Sequence, residues 1–170
     1  MNGSMKTLWH IPSLCVALLC AAGAPALAET ATSGLPIPRF VTLKASETNV
    51  RSGPGTRYPI SWVYRRASLP VEVVDEYDLW RKVRDIEGTT GWVHKSMLDG
   101  KRTVLIAGGA PQVVRRDPKS DAKPLLKSEP MVIAKLMECE KEWCRIQISG
   151  RKGWIEKTHL WGVYPDEVFD

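Results

Sequence analysis

The chain has 170 residues, room for one ordinary domain or two small ones, and 44% of them are hydrophobic, which excludes a disordered polar chain. Its 24 Lys and Arg against 19 Asp and Glu leave a formal charge of +5, spread along the sequence. That charge is too diffuse to define a nucleic-acid surface, and no nucleic-acid partner is expected.

Residues 1–28 have the form of an export signal. Lys6 supplies the positive start, residues 14–21 the apolar stretch, and Ala26-Leu27-Ala28 a small-residue cleavage site before Glu29. Pro12, Gly23 and Pro25 interrupt the run, so it is too short to span a bilayer comfortably. A cleaved, periplasmic or secreted protein with no stable membrane span is therefore expected. Cleavage leaves 23 Lys and Arg against 19 acids, a charge of +4. It also removes Cys15 and Cys20, so the mature chain keeps Cys139 and Cys144. An even pair in an oxidising compartment predicts a disulfide. Four intervening residues and no nearby His argue against a metal pair, and neither a metal site nor a cofactor is expected.

Residues 29–38 are expected to be flexible. Beyond them, Gly, Pro, Ser and Asp clusters break the chain into short apolar runs, the rhythm of an all-β sandwich or small barrel. Residues 39–44 read as a first strand and 46–57 as a turn-rich loop. Residues 60–64 and 71–76 read as the next strands, and Tyr77-Asp78-Leu79 as a tight turn into a strand over 80–85. Glu87-Gly88-Thr89 turns the chain into Gly91-Trp92-Val93, and 94–98 suits a single 3₁₀ turn. Alternation places Val71 with Val73 and Arg81 with Val83. If Val83 and Val93 point inward, Trp80 and Trp92 project from the outer side of their strands.

The same design then recurs. Asn49-Val50-Arg51-Ser52-Gly53-Pro54, Trp80-Arg81-Lys82-Val83 and Gly91-Trp92-Val93 are echoed by Gln112-Val113-Val114-Arg115-Arg116-Asp117-Pro118, Trp143-Cys144-Arg145-Ile146 and Gly153-Trp154-Ile155. Equivalent residues lie 64 apart at Val50/Val114, 63 at Trp80/Trp143 and 62 at Trp92/Trp154. One small module has been duplicated. The expected units are 39–100 and 101–164, followed by an acidic tail over 165–170.

Asn49-Val50-Arg51-Ser52-Gly53-Pro54-Gly55-Thr56, Trp80-Arg81-Lys82-Val83-Arg84-Asp85 and Gly91-Trp92-Val93-His94-Lys95-Ser96 closely resemble the bacterial SH3-like (SH3b) domain, in the tandem form found in exported proteins of Gram-negative bacteria. The likeness covers residues 41–98 and, more loosely, 103–160. It implies two small five- or six-stranded β-barrels that bind peptides or cell-wall polymers. Arg115-Arg116-Asp117-Pro118 lacks the Gly-Pro-Gly turn, so the long loop of the second unit is expected to take another shape.

Aligned hairpins put Cys139 at the place of Glu76 and Cys144 at that of Arg81. A Cys139–Cys144 bridge would staple the hairpin tip, contributing roughly 2 kcal/mol in the chain-entropy picture. At the matching place an exposed Glu76–Arg81 ion pair is expected, worth about 0–1 kcal/mol. Gly53-Pro54-Gly55 lacks the Lys-Ser/Thr pair of a phosphate loop and reads as conformational, with glycines at positive φ. Val50 reads as core, and Arg51 and Arg115 as residues holding an internal bond. Gly91, Gly153, Trp143 and Trp154 complete the structural motif.

Tyr58, Trp62, Tyr64, Trp80 and Trp92 form the candidate ligand surface, since SH3 grooves hold extended peptides on aromatic side chains. Trp80 and Trp92 have a second reading, as rings that pack the two barrels together across the short linker 99–102 or cover the core. His94 and His159 read as ordinary surface residues. No nucleophile stands beside a base, so no enzyme is expected. The expected function is an exported binding module for a cell-envelope component, a peptidoglycan stem peptide or an extended protein segment. A periplasmic scaffold or inhibitor is the alternative, and a cell-wall amidase or peptidase a remoter one.

Overall fold

The computed structural model describes Met1 and residues 32–169; the expected export signal otherwise lies outside the described residues. The first unit contains β1 (Arg39–Leu43), β2 (Thr48–Arg51), β3 (Ile60–Tyr64), β4 (Pro70–Tyr77), β5 (Trp80–Arg84), β6 (Thr90–His94), a 3₁₀ turn (Lys95–Met97) and β7 (Leu98–Asp99). The second contains β8 (Thr103–Ile106), β9 (Gln112–Arg115), β10 (Pro124–Ser128), β11 (Ile133–Cys139), β12 (Trp143–Ile148), β13 (Arg151–Glu156), a 3₁₀ turn (Lys157–His159) and β14 (Leu160–Trp161). The sheet orders β3-β2-β6-β5-β4-β1-β7 and β10-β9-β13-β12-β11-β8-β14 are the same topology written twice. Among the described residues no helix is long and apolar enough to cross a membrane.

β2 was not foreseen: it falls inside the stretch expected to be a turn. Its alternation explains it, because Thr48 and Val50 are fully buried while Asn49 and Arg51 face outward. Val71, Val73, Val83 and Val93 are fully buried as their parity required, and their partners across the repeat, Ala134, Leu136, Ile146 and Ile155, form the second core.

β4 and β11 each carry a bulge at the same point, between Val73 and Asp75 and between Leu136 and Glu138. A bulge adds one residue and reverses the parity beyond it. Glu76 and Cys139 are thereby turned into the barrel. This corrects the expected exposed ion pair: Glu76 sits 2.9 Å from Arg81, and their side chains are 1% and 8% exposed. Arg39 is a second cation on the same carboxylate, and Ser33 donates its backbone N–H (2.8 Å) and hydroxyl (2.9 Å) to it. Residues 32–38, expected to be flexible, thus have Ser33 tied to the first barrel. Burial pushes the Glu76 carboxyl up, but the hydrogen bonds from Arg39 and Ser33 outweigh it and hold it below the usual range.

In the second barrel the same two positions are cysteines, paired directly across β11 and β12 and joined by a disulfide. Here the tail, not the N-terminal segment, covers the staple. Phe169 pairs with Cys139 through both backbone bonds, and Arg102 holds Glu167. The expected acidic tail is therefore bound along residues 167–169.

The barrels share a seam. β8 is buried on both faces: Val104 and Ile106 belong to the second core, while Leu105 between them joins the first. Ile133 and Trp161 pack against that first core beside it. Phe40 meets Trp161 edge-on at 5.1 Å and Tyr164 at 4.8 Å. Tyr164 donates its hydroxyl to Glu72 (2.8 Å), and Thr103 donates to the Ser68 carbonyl (2.9 Å). Trp80 and Trp92, one reading of which placed them in this seam, lie elsewhere. β5 and β6 sit in the middle of their sheet, away from the docked strands.

Candidate functional site: twin grooves

Four of the five predicted aromatics divide between two faces, and Tyr58 lies in the long loop with its ring over Gly53. Trp62 and Tyr64, two residues apart on β3, pack against the first core, edge-on to each other at 6.0 Å. The Tyr64 hydroxyl donates to Asp85 (2.8 Å); burial and that bond to a carboxylate both push the phenol up. These two rings close the barrel flank and do not share a surface with Trp80. Trp80 and Trp92 lie on the outer face of β5 and β6, where Trp92 stands in register with Arg51 and Lys82, and Trp80 with His94. The Trp80 and His94 rings meet edge-on at 5.4 Å.

On this face Trp80, Arg51, Asn49, Thr56, His94 and Met97 border a hollow of about 200 Å³. The second barrel has one of about 150 Å³ bordered by Trp143, Arg115, Gln112, Val113, Glu156 and His159. Residue by residue the two are the same place: Arg51 matches Arg115, Trp80 matches Trp143, His94 matches Glu156 and Met97 matches His159. The two histidines, expected to be ordinary surface, both border a groove. The repeat alignment, His94 with Glu156 and Met97 with His159, does not conserve their chemistry, yet it places both pairs at the same two positions of the groove. Trp143, expected to be structural only, is half-buried and borders the second groove.

Arg51 and Arg115 build the grooves through the long loop. Arg51 donates to the carbonyls of Thr56 (3.1 Å) and Tyr58 (2.6 Å), and Arg115 to that of Ala122 (2.9 Å). Each guanidinium thus substitutes for backbone partners that a curved loop lacks. The second loop was expected to differ in shape, and it does not. Ser52→Pro59, Gly55→Gly53 and Tyr58→Gly55 backbone bonds recur as Arg116→Lys123, Lys119→Asp117 and Ala122→Lys119.

Gly53 and Gly55 are also not among the glycines at positive φ, which corrects the conformational role expected of them. At Gly53 the constraint is space. A Cβ on Gly53 would lie 2.5 Å from the Tyr58 ring. In the second barrel Ala122 replaces Tyr58, and Asp117 fits where Gly53 stood. The expected result is that Gly53→Ala costs about 1–3 kcal/mol through overpacking. Adding Tyr58→Ala should recover much of that loss, and urea unfolding of the four-member cycle measures the coupling. Additive losses would refute the ring-to-glycine contact. Gly91 and Gly153 obey the same rule at the β2–β6 and β9–β13 crossings, where a Cβ would meet Val50 at 2.4 Å and Val114 at 2.6 Å.

Residues 44–100 and 108–162 each match the family described as the bacterial SH3 domain. The chain belongs to that family. Two copies of the bacterial SH3 fold therefore account for most of the described residues, as the duplicated topology requires. Over 150 residues the chain is 25% identical to "Putative N-acetylmuramoyl-L-alanine amidase YrvJ" of Bacillus subtilis (strain 168). That match covers 78% of this chain but 28% of the relative, so the bacterial SH3 pair spans little more than a quarter of that protein's length. Among solved structures, "Structure of NlpC1 from Trichomonas vaginalis" aligns with a TM-score of 0.34 and 12% identity, covering 81% of this chain and 50% of that one.

Proposed function

We propose that this chain is an exported, non-catalytic binding module that holds a cell-envelope peptide, either a peptidoglycan stem peptide or an extended protein segment, in its twin grooves. The observation that carries the reading is the repetition itself: both barrels set an arginine-braced loop beside a half-buried tryptophan at equivalent positions. A duplication retained only for stability needs matching cores. It does not need matching hollows on the outer face. The name of the Bacillus relative supports an envelope setting, and the chain's small share of that relative fits a binding part better than a whole enzyme. The export-signal pattern of residues 1–28 fits the same setting.

Purified sacculi at low salt test this. The native protein is expected to sediment with them, and Trp80→Ala/Trp143→Ala to stay largely in solution at an unchanged melting temperature. Both rings stand on the outer side of their strands, so truncation should spare the cores. No retention of the native protein would rule out wall binding. Retention lost only together with a drop of several degrees in Tm would assign the tryptophans to packing instead.

A further inference from the structure

We propose that the second groove recognises a primary ammonium group, as on an uncapped lysine-type side chain of a peptide, through Trp143 and Glu156, and that the first groove does not. This deepens the twin-groove reading and rests on it. Trp143 lies directly across the β12–β13 ladder from Glu156, whose side chain is 43% exposed. Cβ atoms of such a pair stand about 4.5–5.5 Å apart. A cation seated on the indole face therefore also meets the carboxylate. The ring quadrupole and the full negative charge attract it together.

The surroundings favour that occupant. Besides the small hollow, Trp143 borders a larger one of about 1060 Å³, to which Glu142 of the disulfide-closed hairpin tip and Asp121 of the long loop add carboxylates. Lys157 lines it too, but its ammonium is buried and donates to three carbonyls, those of Lys141 (3.1 Å), Pro165 (3.0 Å) and Glu167 (2.6 Å). Its charge is engaged inside the wall. The exposed cations at the rim are Lys119 and Lys141, and His159 Nε2 lies 3.9 Å from Glu156. In the first barrel the ring is kept and its partner is changed: His94 stands opposite Trp80 where Glu156 stands opposite Trp143. Glu47, the acid bordering that groove, stands 3.9 Å from Arg65. The frame is shared and the charge at the ring is not.

Titrating ¹⁵N-labelled protein with Nα-acetyl-lysine N-methylamide, and with the same compound acetylated on its side-chain nitrogen, tests this through the indole N–H resonances. The free amine is expected to shift the Trp143 resonance in a saturable way while leaving that of Trp80 in place. The acetylated probe should bind at least tenfold more weakly. Glu156→Gln should show the same loss with unchanged Tm. An equal response to both probes, an unaltered response in Glu156→Gln, an equal response at Trp80, or none at Trp143 would each overturn the proposal. The sacculus experiment fails separately. Retention lost in Trp143→Ala but kept in Glu156→Gln ends this inference and leaves the twin-groove reading standing. Absence of native retention ends the wall-binding form of that reading whatever the lysine probe does.

Discussion

Leu105→Ala is expected to lower the stability of both barrels together, by about 2–5 kcal/mol, and to keep their unfolding in a single transition. The residue belongs to β8, the first strand of the second barrel, yet its fully buried side chain sits in the core of the first. Removing three heavy atoms there leaves a cavity bounded by both units, and Ile133 and Trp161 lose packing on the same face. The barrels cannot separate without exposing this surface along with the Phe40, Trp161 and Tyr164 rings. Differential scanning calorimetry checks the claim. One peak that moves down as a whole is the expected result. Two resolved peaks, with only the first barrel shifted, would show that the seam does not couple the units.

Glu76→Gln is expected to cost about 3–5 kcal/mol, the scale for deleting one partner of a buried ion pair. The loss arises because Arg39 and Arg81, 17% and 8% exposed, would keep their charges with no anion between them. The effect has a pH signature. Hydrogen bonds from Arg39 and Ser33 hold this carboxyl below its ordinary value in spite of burial, and Arg102 does the same for Glu167. A carboxyl whose folded pKa is depressed contributes stability that is fully present above its unfolded value, about 4.3. That contribution is lost as pH falls through the folded value. Native Tm should therefore drop as pH is lowered below about 4, and Glu76→Gln should flatten part of that drop, with Glu167 retaining the rest. Parallel Tm-versus-pH curves for native and variant protein would remove Glu76 as a source of the acid sensitivity.

The comparison of the two staples shows how far residue patterns reach. The Cys139–Cys144 bridge follows from compartment, cysteine count and aligned hairpins, because a disulfide needs only two side chains to meet. For its counterpart the strands disagree: alternation sets Arg81 with the inward Val83, whereas strict alternation from Val71 and Val73 would put Glu76 outside. The bulge after Val73 reverses that parity. Nothing in Val74-Asp75 announces it, since a bulge is decided by the partner strand's register and not by one strand's own residues. The long loop gives the opposite lesson. Its two sequences differ at Gly53/Asp117 and Tyr58/Ala122, but the backbone bonds agree, because the two substitutions compensate each other in space.

The candidate site divides in the same way. Arg51, Trp80 and Asn49 were singled out by the repeat, and the fold brings them to one groove. Trp62, Tyr64 and Tyr58 were grouped with Trp80 because aromatic residues look alike in a sequence. Their strands assign the first two to the core side, and Tyr58 to the loop where it covers Gly53. His94 and Glu156 went unrecognised because their chemistry differs, although their position is the same.

From its residues alone this chain set its strand rhythm, its duplication, the inward valines and the paired cysteines. All of these depend on neighbours close in sequence or on a period that the chain itself displays. Tertiary structure decided which rings meet across the seam, which charges are buried and which side chains share a groove. Those outcomes depend on how strands from distant parts of the chain come into register. A single displaced residue in a ladder exchanges the inside of a barrel for its outside.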